Sequence, residues 1–562
     1  MTNRDLARAL EELAAMLEVR GENKFKVAAH AKGARVIAEF PEDLAEFVKN
    51  NELTSIPGIG KGLEVKIREF LTTGRSAELE DLRAEVPAGV LALMKVPGLG
   101  IKKARQIHDE LGVTNVDELR IAIDSGRVAA LKGYGEKAAA KILESIEKQS
   151  KFAGQVRLDV GILSAATLVT ALERVSGVEK IVVAGEIRRR REVISAIDLV
   201  IECSDKPAFV AALEKLPFAE GLSSNGDEFS FQFNDKIAVR IVVSEPADFP
   251  INLLRATGSV EHLRELDEFA EARGVGLTGK FKSEHDIYRK LGLSEIVPEL
   301  RAGMGEIPAA AKNALPILIE RADLRGLMHM HTEYSDGDPV LEDYAKYAKA
   351  NGYEWMAIAD HSTSLKIANG LSEERVLKQH AEIDDVNAKY AQHGVRLLKG
   401  IECDILGDGS LDYTDEFRTN FEWIVASVHS KFNLPEKEQT RRICHALENP
   451  SVTVLGHLTG RLLLSRNGYA CDQHEIIRAA AQTGVAIEIN ANPRRLELDW
   501  RLVREALDLG VFICISPDAH SIGELEYVDF GLWAARKGWC TKEQILNCLS
   551  AKDFLKFAAS RK

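Results

Sequence analysis

The chain has 562 residues, 45% of them apolar and 28% charged, with a net charge of −13. That length exceeds what one core fills, so several domains are expected, and the acidic balance argues only mildly against bulk nucleic-acid affinity, because local basic patches matter more than the total. No stretch reads as a signal peptide near Met1 or approaches membrane-spanning length, which points to a cytoplasmic protein, and seven cysteines without a Cys-x-x-Cys pair exclude a disulfide framework or a zinc ribbon.

The first 150 or so residues carry helical apolar spacing, clearest over Leu6 to Leu17 and Val27 to Phe40. A turn motif repeats within them: Ile56-Pro57-Gly58-Ile59-Gly60-Lys61, then Val96-Pro97-Gly98-Leu99-Gly100-Ile101-Lys102, and a looser Leu131-Lys132-Gly133-Tyr134-Gly135-Glu136. Glycines at a helix start let backbone N–H groups approach a phosphate, with the helix dipole favouring the anion. This is a helix-hairpin-helix pattern, and Lys61, Lys66, Lys102, Lys103 and Lys137 beside the turns suit sequence-independent binding to the DNA backbone. A single copy is equally well a plain turn between helices; repetition is what favours DNA.

From about 155 to 320 the pattern turns to mixed α+β, with β-rich runs at Lys180 to Ala184, Ile197 to Glu202 and Ile237 to Val243. A run of arginines, Arg188 to Arg191, is either a solvated surface or a phosphate contact.

Beyond residue 320 lie ten of the fourteen histidines. Apolar runs end one after another in ligand-type side chains: His329-Met330-His331, Trp355–Ala359 before Asp360-His361, then Glu402, Trp423–Val428 before His429, Val452–Gly456 before His457, and Val511–Ile515 before Asp518-Ala519-His520. Helical segments such as Leu341 to Ala350 and Glu475 to Thr483 separate them, so a (β/α) barrel with an active rim is expected. A pair such as His329 and His331 sits on one face of an extended chain. So many nitrogen and oxygen ligands suit a multinuclear metal centre for phosphoester hydrolysis. His380, His393, His445 and His474 fall on helices or loops and are expected to stand aside, and Asp360 is expected to orient a ligand.

Gly185-Glu186-Ile187-Arg188-Arg189, Ile197-Asp198-Leu199-Val200 and Thr257-Gly258-Ser259 resemble the palm of family X DNA polymerases. Asn23-Lys24-Phe25 and the paired hairpins resemble that family's lyase-type domain and fingers. The C-terminal motifs, with Ser335-Asp336-Gly337 and Gly456-His457-Leu458-Thr459-Gly460-Arg461 among them, resemble the PHP phosphoesterase domain carried by bacterial members. The resemblance spans the chain. It implies a lyase-like helical domain over 1–90, helix-hairpin-helix fingers over 91–154, an α+β nucleotidyltransferase-like palm and thumb over 155–320, and a distorted (β/α)7 PHP barrel over 321–562. It also implies a trinuclear manganese or zinc site on His329, His331, Asp336, His361, Glu402, His429, His457, Asp518 and His520, working without a protein nucleophile. Arg461 would either clamp the scissile phosphate or make a rim salt bridge.

The palm departs from its pattern. Where the family holds two metal-binding aspartates and a third on a neighbouring strand, this chain has Ala196, Asp198 and Ala238. Glu186 replaces a serine that faces the triphosphate, and Arg255-Ala256 replaces an aromatic pair. One carboxylate does not hold the two ions that nucleotidyl transfer needs, so Gly185, Arg189 and Asp198 read as a palm remnant with no expected Mg²⁺. Lys66 falls where lyase-active members carry a Schiff-base lysine, although a DNA-binding helix accounts for it equally.

The resulting expectation is a DNA end-processing nuclease acting on gapped, nicked or 3′-ended DNA, as a 3′–5′ exonuclease or 3′-end cleaner, with abasic-site incision as an extension. A gap-filling polymerase with an accessory nuclease is the alternative if Glu192 or Asp235 substitutes as a ligand. A repair scaffold with phosphomonoesterase activity is a third.

Overall fold

A computed structural model describes residues 3–39, 44–49, 52–56, 58–94, 96, 98–214, 219–233, 237–277 and 280–561. The chain divides into two compact units, Met1–Ala153 and Gly154–Lys562. Among the described residues no helix is long and apolar enough to cross a membrane.

The first unit is helical, as the spacing predicts. Asn3–Arg20 and Lys24–Glu39 open it, and Lys61–Thr73, Ile101–Leu111 and Glu136–Lys151 each follow one copy of the turn motif. Two apolar clusters hold it together, one around Leu10, Ile37, Ile67 and Phe70, the other around Val90, Leu93, Ile107, Leu119 and Ile142. The three turns share one hydrogen bond: Ile59 N to Ile56 O, Leu99 N to Val96 O and Tyr134 N to Leu131 O, at 3.0, 3.0 and 3.2 Å. Gly58 and Gly98 take φ of +99° and +84°, a region that side chains with a Cβ resist. Pro57, Pro97 and Phe40 lie outside the described residues.

The second unit contains a five-stranded mixed sheet in the order Val178–Val183, Ala196–Cys203, Ile237–Ser244, Glu228–Phe233, Ala219–Asn225. Glu228–Phe233 alternates exposed and buried residues, the period-two signature of a strand with one wet face, whereas Ala196–Cys203 is buried almost throughout. Helices Phe249–Thr257, Val260–Ala272 and Glu284–Lys290 follow, around Leu254, Leu266, Ile287 and Tyr288.

Val156–Arg157 and Val193–Ile194 pair antiparallel by themselves, while the strands from Gly326 onward are parallel and mostly alternate with helices. One sheet runs Arg396–Leu398, Trp355–Ile358, Gly326–Met330, the other Gly400–Asp404, Trp423–Ser427, Val454–Leu455, Ala486–Asn490, Ile513–Ser516. Bridges from Met330 to Ala519 and from His361 to Glu402 join the two sheets at both ends, so the pairing runs round a ring. All five residues of Gly326–Met330, Gly400–Asp404, Trp423–Ser427 and Ala486–Asn490 are buried, as expected for parallel strands covered on both faces. The run at Val452–Gly456 yields only the two-residue strand Val454–Leu455. The loops at the strands' C-terminal ends carry the ligand-type residues to one place.

Candidate metal centre

His329 and His331 do not share a face by simple alternation. His329 lies in a bulge, with the register of its strand shifting between Met328 and Met330 and its own φ at +64°. The two imidazoles nonetheless converge, with ring centroids 5.3 Å apart. Asp518, just past Ile513–Ser516, also has positive φ, +52°. Such conformations persist where the surroundings over-determine them, and both lie at this cluster.

Three groups of ligand atoms gather there, each with its atoms within 4.8 Å of one another: His331, Asp336, His361 and His520; His329, His331 and Asp518; His361, Glu402 and His429. His457 joins through its Nε2, 2.9 Å from Glu402 Oε1. All nine residues singled out in the sequence are therefore brought together. His380, His393, His445 and His474 are not: His380 packs edge-on against Phe421, and His474 pairs with Glu505 at 2.6 Å.

Burial and charge work against each other inside the cluster. Burial would raise the Glu402 carboxyl, but His429, His329 and His361 hold it well below the usual range. Burial likewise opposes Asp518, which His329 and His331 keep low. Burial drives the His331 imidazole down to about 3, with His361 and His520 adding to it. At His429 burial is outweighed by Glu402 and Asp404, which lift it to about 10, and Asp336 and Asp518 lift His520 to about 9. A cation entering such a cluster must displace protons.

The donor set fits divalent cations. His329 Nε2, His331 Nδ1 and His457 Nδ1 are buried yet have no hydrogen-bond partner, and His361 Nδ1 and Glu402 Oε2 face each other at 2.7 Å without hydrogen-bond alignment. Orphaned groups at that density are costly unless something else satisfies them. Imidazole and carboxylate together suit a borderline-to-hard metal.

Several supporting residues escaped the sequence reading. Glu488, fully buried, takes His329 Nδ1 on Oε1 at 2.6 Å and accepts the His457 backbone N–H on Oε2 at 2.6 Å. Asp404 Oδ1 stands 2.6 Å from His429 Nδ1. Asn490 Nδ2 donates to Asp518 Oδ2 at 3.0 Å, and Arg495 Nε lies 3.6 Å from the same oxygen. The signal was present: Glu488 and Asn490 interrupt an apolar strand, and Asp404 follows Glu402 at the two-residue spacing of one strand face. Asp360, expected to orient a ligand, bonds none of the nine side chains and instead accepts from Thr332 N and Oγ1, Ser335 Oγ and Gln379 Nε2.

Arg461 takes the salt-bridge alternative. Its Nη1 meets Asp499 Oδ2 at 2.8 Å and its other nitrogens donate to the Arg495 and Leu496 carbonyls, which leaves Arg495 as the guanidinium nearer the cluster.

In the five-stranded sheet, the parallel register sets Ala196 opposite Ala238 and Asp198 opposite Arg240. Gly185 has φ +58°, and a Cβ there would fall 1.7 Å from Asp198 Oδ2. Glu186 does not face outward as a bare charge: its Oε2 accepts from Ser195 N and Oγ at 2.6 and 2.8 Å. Arg189 Nη1 donates to Thr257 O at 2.5 Å. Within the arginine run, Arg188 is paired with Glu284 and Arg190 packs on Trp533, while Arg189 and Arg191 line a cleft of about 800 Å³. Glu192 is not a substitute ligand either, since it binds Trp500 Nε1 and Arg501, at 3.0 and 2.8 Å. Asp235 lies outside the described residues.

In the first unit, Gly58, Gly60, Lys61, Gly98, Gly100 and Lys102 are all exposed. Gly60 and Gly100 cap the helices that follow, where first-turn N–H groups lack intrahelical partners. Lys66 Nζ is held by Glu69 and Glu78 at 3.1 and 3.0 Å.

Fold and cluster together define a class: a metal-dependent phosphoesterase of the PHP type joined to tandem helix-hairpin-helix modules. Family models agree, with a helix-hairpin-helix domain over residues 1–76, a SAM-like helix-hairpin-helix tandem over 50–112 and 90–148, and a PHP domain over 328–492. The chain is 36% identical over 571 residues, 98% of either chain, to the Bacillus subtilis "DNA polymerase/3'-5' exonuclease PolX". It belongs to the family X DNA polymerases that carry a PHP domain. About a third of the chain is also similar to a "Probable phosphatase" of Acetivibrio thermocellus, 29% identical over 34% of this chain and 78% of that one. A second, from Vibrio parahaemolyticus, is 27% identical over 42% of this chain and 92% of its own length.

Proposed function

We propose that this protein is a DNA end-processing hydrolase whose PHP metal centre cleaves phosphodiester bonds, as a 3′–5′ exonuclease or 3′-end cleaner with abasic-site incision as an extension, and whose palm does not polymerise. The observation that carries this reading is the convergence of nine ligand-type side chains, with three buried imidazole nitrogens among them lacking a hydrogen-bond partner. On it, the strand-and-helix ring is a distorted (β/α)7 barrel and the five-stranded sheet a palm. The domains are those the resemblance implies: lyase-like over 1–90, fingers over 91–154, palm and thumb over 155–320 and barrel over 321–562.

The nine residues would hold manganese or zinc, three ions in the full reading. Such ions supply an activated water and neutralise charge on the phosphoryl group and the leaving oxygen. The chain's own residues prepare for this. Glu488 and Asp404 fix two imidazoles through Nδ1, leaving Nε2 of each turned to the cluster. Asn490 and Arg495 hold Asp518, and no protein nucleophile is required. The hairpin turns at Gly58, Gly60, Lys61, Gly98, Gly100 and Lys102 would grip gapped, nicked or 3′-ended DNA by its backbone, without sequence preference.

The test is incubation of purified protein with Mn²⁺ and a labelled gapped duplex, with and without the four deoxynucleotides. Shortening in both conditions is expected, and nucleotide-dependent extension would overturn the silent palm. The polymerase reading keeps one support, the similarity to the Bacillus DNA polymerase/3'-5' exonuclease. A phosphomonoesterase reading keeps another in the phosphatase relatives, and faster turnover of p-nitrophenyl phosphate than of DNA would favour it.

A further inference from the structure

Glu192 belongs to the palm-type part of the second unit, yet both its carboxylate oxygens are engaged by the barrel. Oε2 accepts from Trp500 Nε1 at 3.0 Å and Oε1 from Arg501 Nη2 at 2.8 Å, and the residue is 9% exposed. Arg501 Nη1 in turn donates to Asp499, at 2.7 and 3.0 Å from its two oxygens. Asp499 Oδ2 receives Arg461 Nη1 at 2.8 Å. Arg461 then closes on the backbone of the metal-site loop, donating to the carbonyls of Arg495 and Leu496.

That loop touches the cluster at two points. Arg495 Nε lies 3.6 Å from Asp518 Oδ2. Glu497 Oε2 accepts the backbone N–H of Thr459 at 2.8 Å, two residues from His457. Leu496 has φ +45°, a conformation a leucine keeps only where its surroundings impose it.

We propose that Glu192 is a positioning residue for the metal centre: through Trp500, Arg501, Asp499 and Arg461 it fixes the 495–497 loop, and with it Arg495, against Asp518. The palm thereby serves the hydrolase as a support for the barrel rim. This rests on the metal-centre reading above and adds to it a residue some distance from any ligand. The pairs are partly buried and share partners, the arrangement in which removing one member disturbs the rest.

The experiment uses the full-length, metal-stripped chain and compares Glu192→Gln, Glu192→Leu and Arg504→Ala with wild type. Arg504 donates to Met304 O at 2.9 Å, a contact between the same two parts that bypasses the relay. Two readouts are taken: calorimetric titration with Mn²⁺ alone, and kcat and KM on the p-nitrophenyl ester of thymidine 5′-monophosphate, which needs no DNA grip. Glu192→Leu is expected to weaken Mn²⁺ binding and lower kcat by roughly tenfold, the lower end of the range for outer-sphere partners, with KM near wild type. Glu192→Gln, which keeps the Trp500 contact, should fall between, and it carries the test if the leucine variant fails to fold. Arg504→Ala should match wild type. Wild-type Mn²⁺ affinity in both Glu192 variants, or equal losses in Arg504→Ala, would overturn the proposal. A wild-type protein that binds Mn²⁺ but leaves both ester and DNA intact would count against the hydrolase reading alone, because the titration still reports on Glu192.

Discussion

Arg240 closes on Asp198 with two hydrogen bonds, Nε to Oδ1 at 2.6 Å and Nη2 to Oδ2 at 3.0 Å. The one carboxylate left among Ala196, Asp198 and Ala238 is thus neutralised by the protein itself. Bidentate arginine pairing of this kind is strong and geometrically exclusive. Primer extension on a gapped duplex should give no product longer than the primer, in wild type and in Arg240→Ala alike, since freeing one carboxylate does not assemble a two-ion site. Lengthening in either protein would refute this.

His331 belongs to two of the three ligand groups. Its replacement by alanine should lower hydrolysis by more than roughly a hundredfold, since a direct ligand counts for more than the tenfold to hundredfold of an outer-sphere partner. Binding of duplex DNA, measured by fluorescence anisotropy, should stay within about twofold because the hairpin turns are untouched. Persistent hydrolysis would remove His331 from the ligand set.

Glu488 orients His329 and receives the His457 N–H from a fully buried position. Glu488→Gln is expected to weaken metal binding about tenfold to a hundredfold. Glu488→Ala should in addition destabilise the fold by about 1–3 kcal/mol, through the unpaired buried N–H. Metal titration and denaturant unfolding separate the two effects.

Lys66 is a poor Schiff-base nucleophile. Burial would lower its pKa, but the hydrogen bonds and charges of Glu78 and Glu69 raise it above that of an ordinary lysine. A protonated amine does not attack an aldehyde. Borohydride treatment with abasic DNA should trap no adduct at Lys66, and a trapped, Lys66-dependent adduct would contradict the geometry.

Lys537 is 2% exposed and lies over the Trp500 ring, 4.2 Å from its centroid. Burial pushes its ammonium down to about 7, with Arg191, Arg189 and Arg501 opposing Glu192. The unfolded chain therefore holds a proton that the folded chain lacks between about pH 7 and the ordinary lysine value of 10.5, so stability rises with pH across that window. Lys537→Met should gain stability relative to wild type at pH 6, and the gain should shrink by pH 9. A pH-independent difference in urea unfolding would show Lys537 charged throughout.

Much of the molecule is legible in the sequence. Period-two and helical spacing located strands such as Ile237–Ser244 and helices such as Leu341–Asn351 to within a residue or two, because burial of one face leaves its imprint on residue type. Eight of the nine ligand-type residues were legible for a related reason, since each stands at or near the end of an apolar run, whereas Asp336 was marked only by the resemblance to the PHP pattern. The bulge at His329 was not, because alternation says nothing of an inserted residue. Nor was the role of Arg461, whose partner Asp499 is 38 residues away.

The sequence by itself determined the kinds of elements, the repeated glycine turns, the collection of histidines and carboxylates, and the alanines at 196 and 238. These are local choices of side-chain chemistry, and each is written in a few neighbouring residues. Tertiary structure alone decided which charges meet: Asp198 with Arg240, Glu192 with Trp500 and Arg501, His329 with Glu488, Lys66 with Glu78. Whether a carboxylate is a ligand, a clamp or a support depends on what stands within about 3 Å of it, and chain folding sets that distance between residues far apart in sequence.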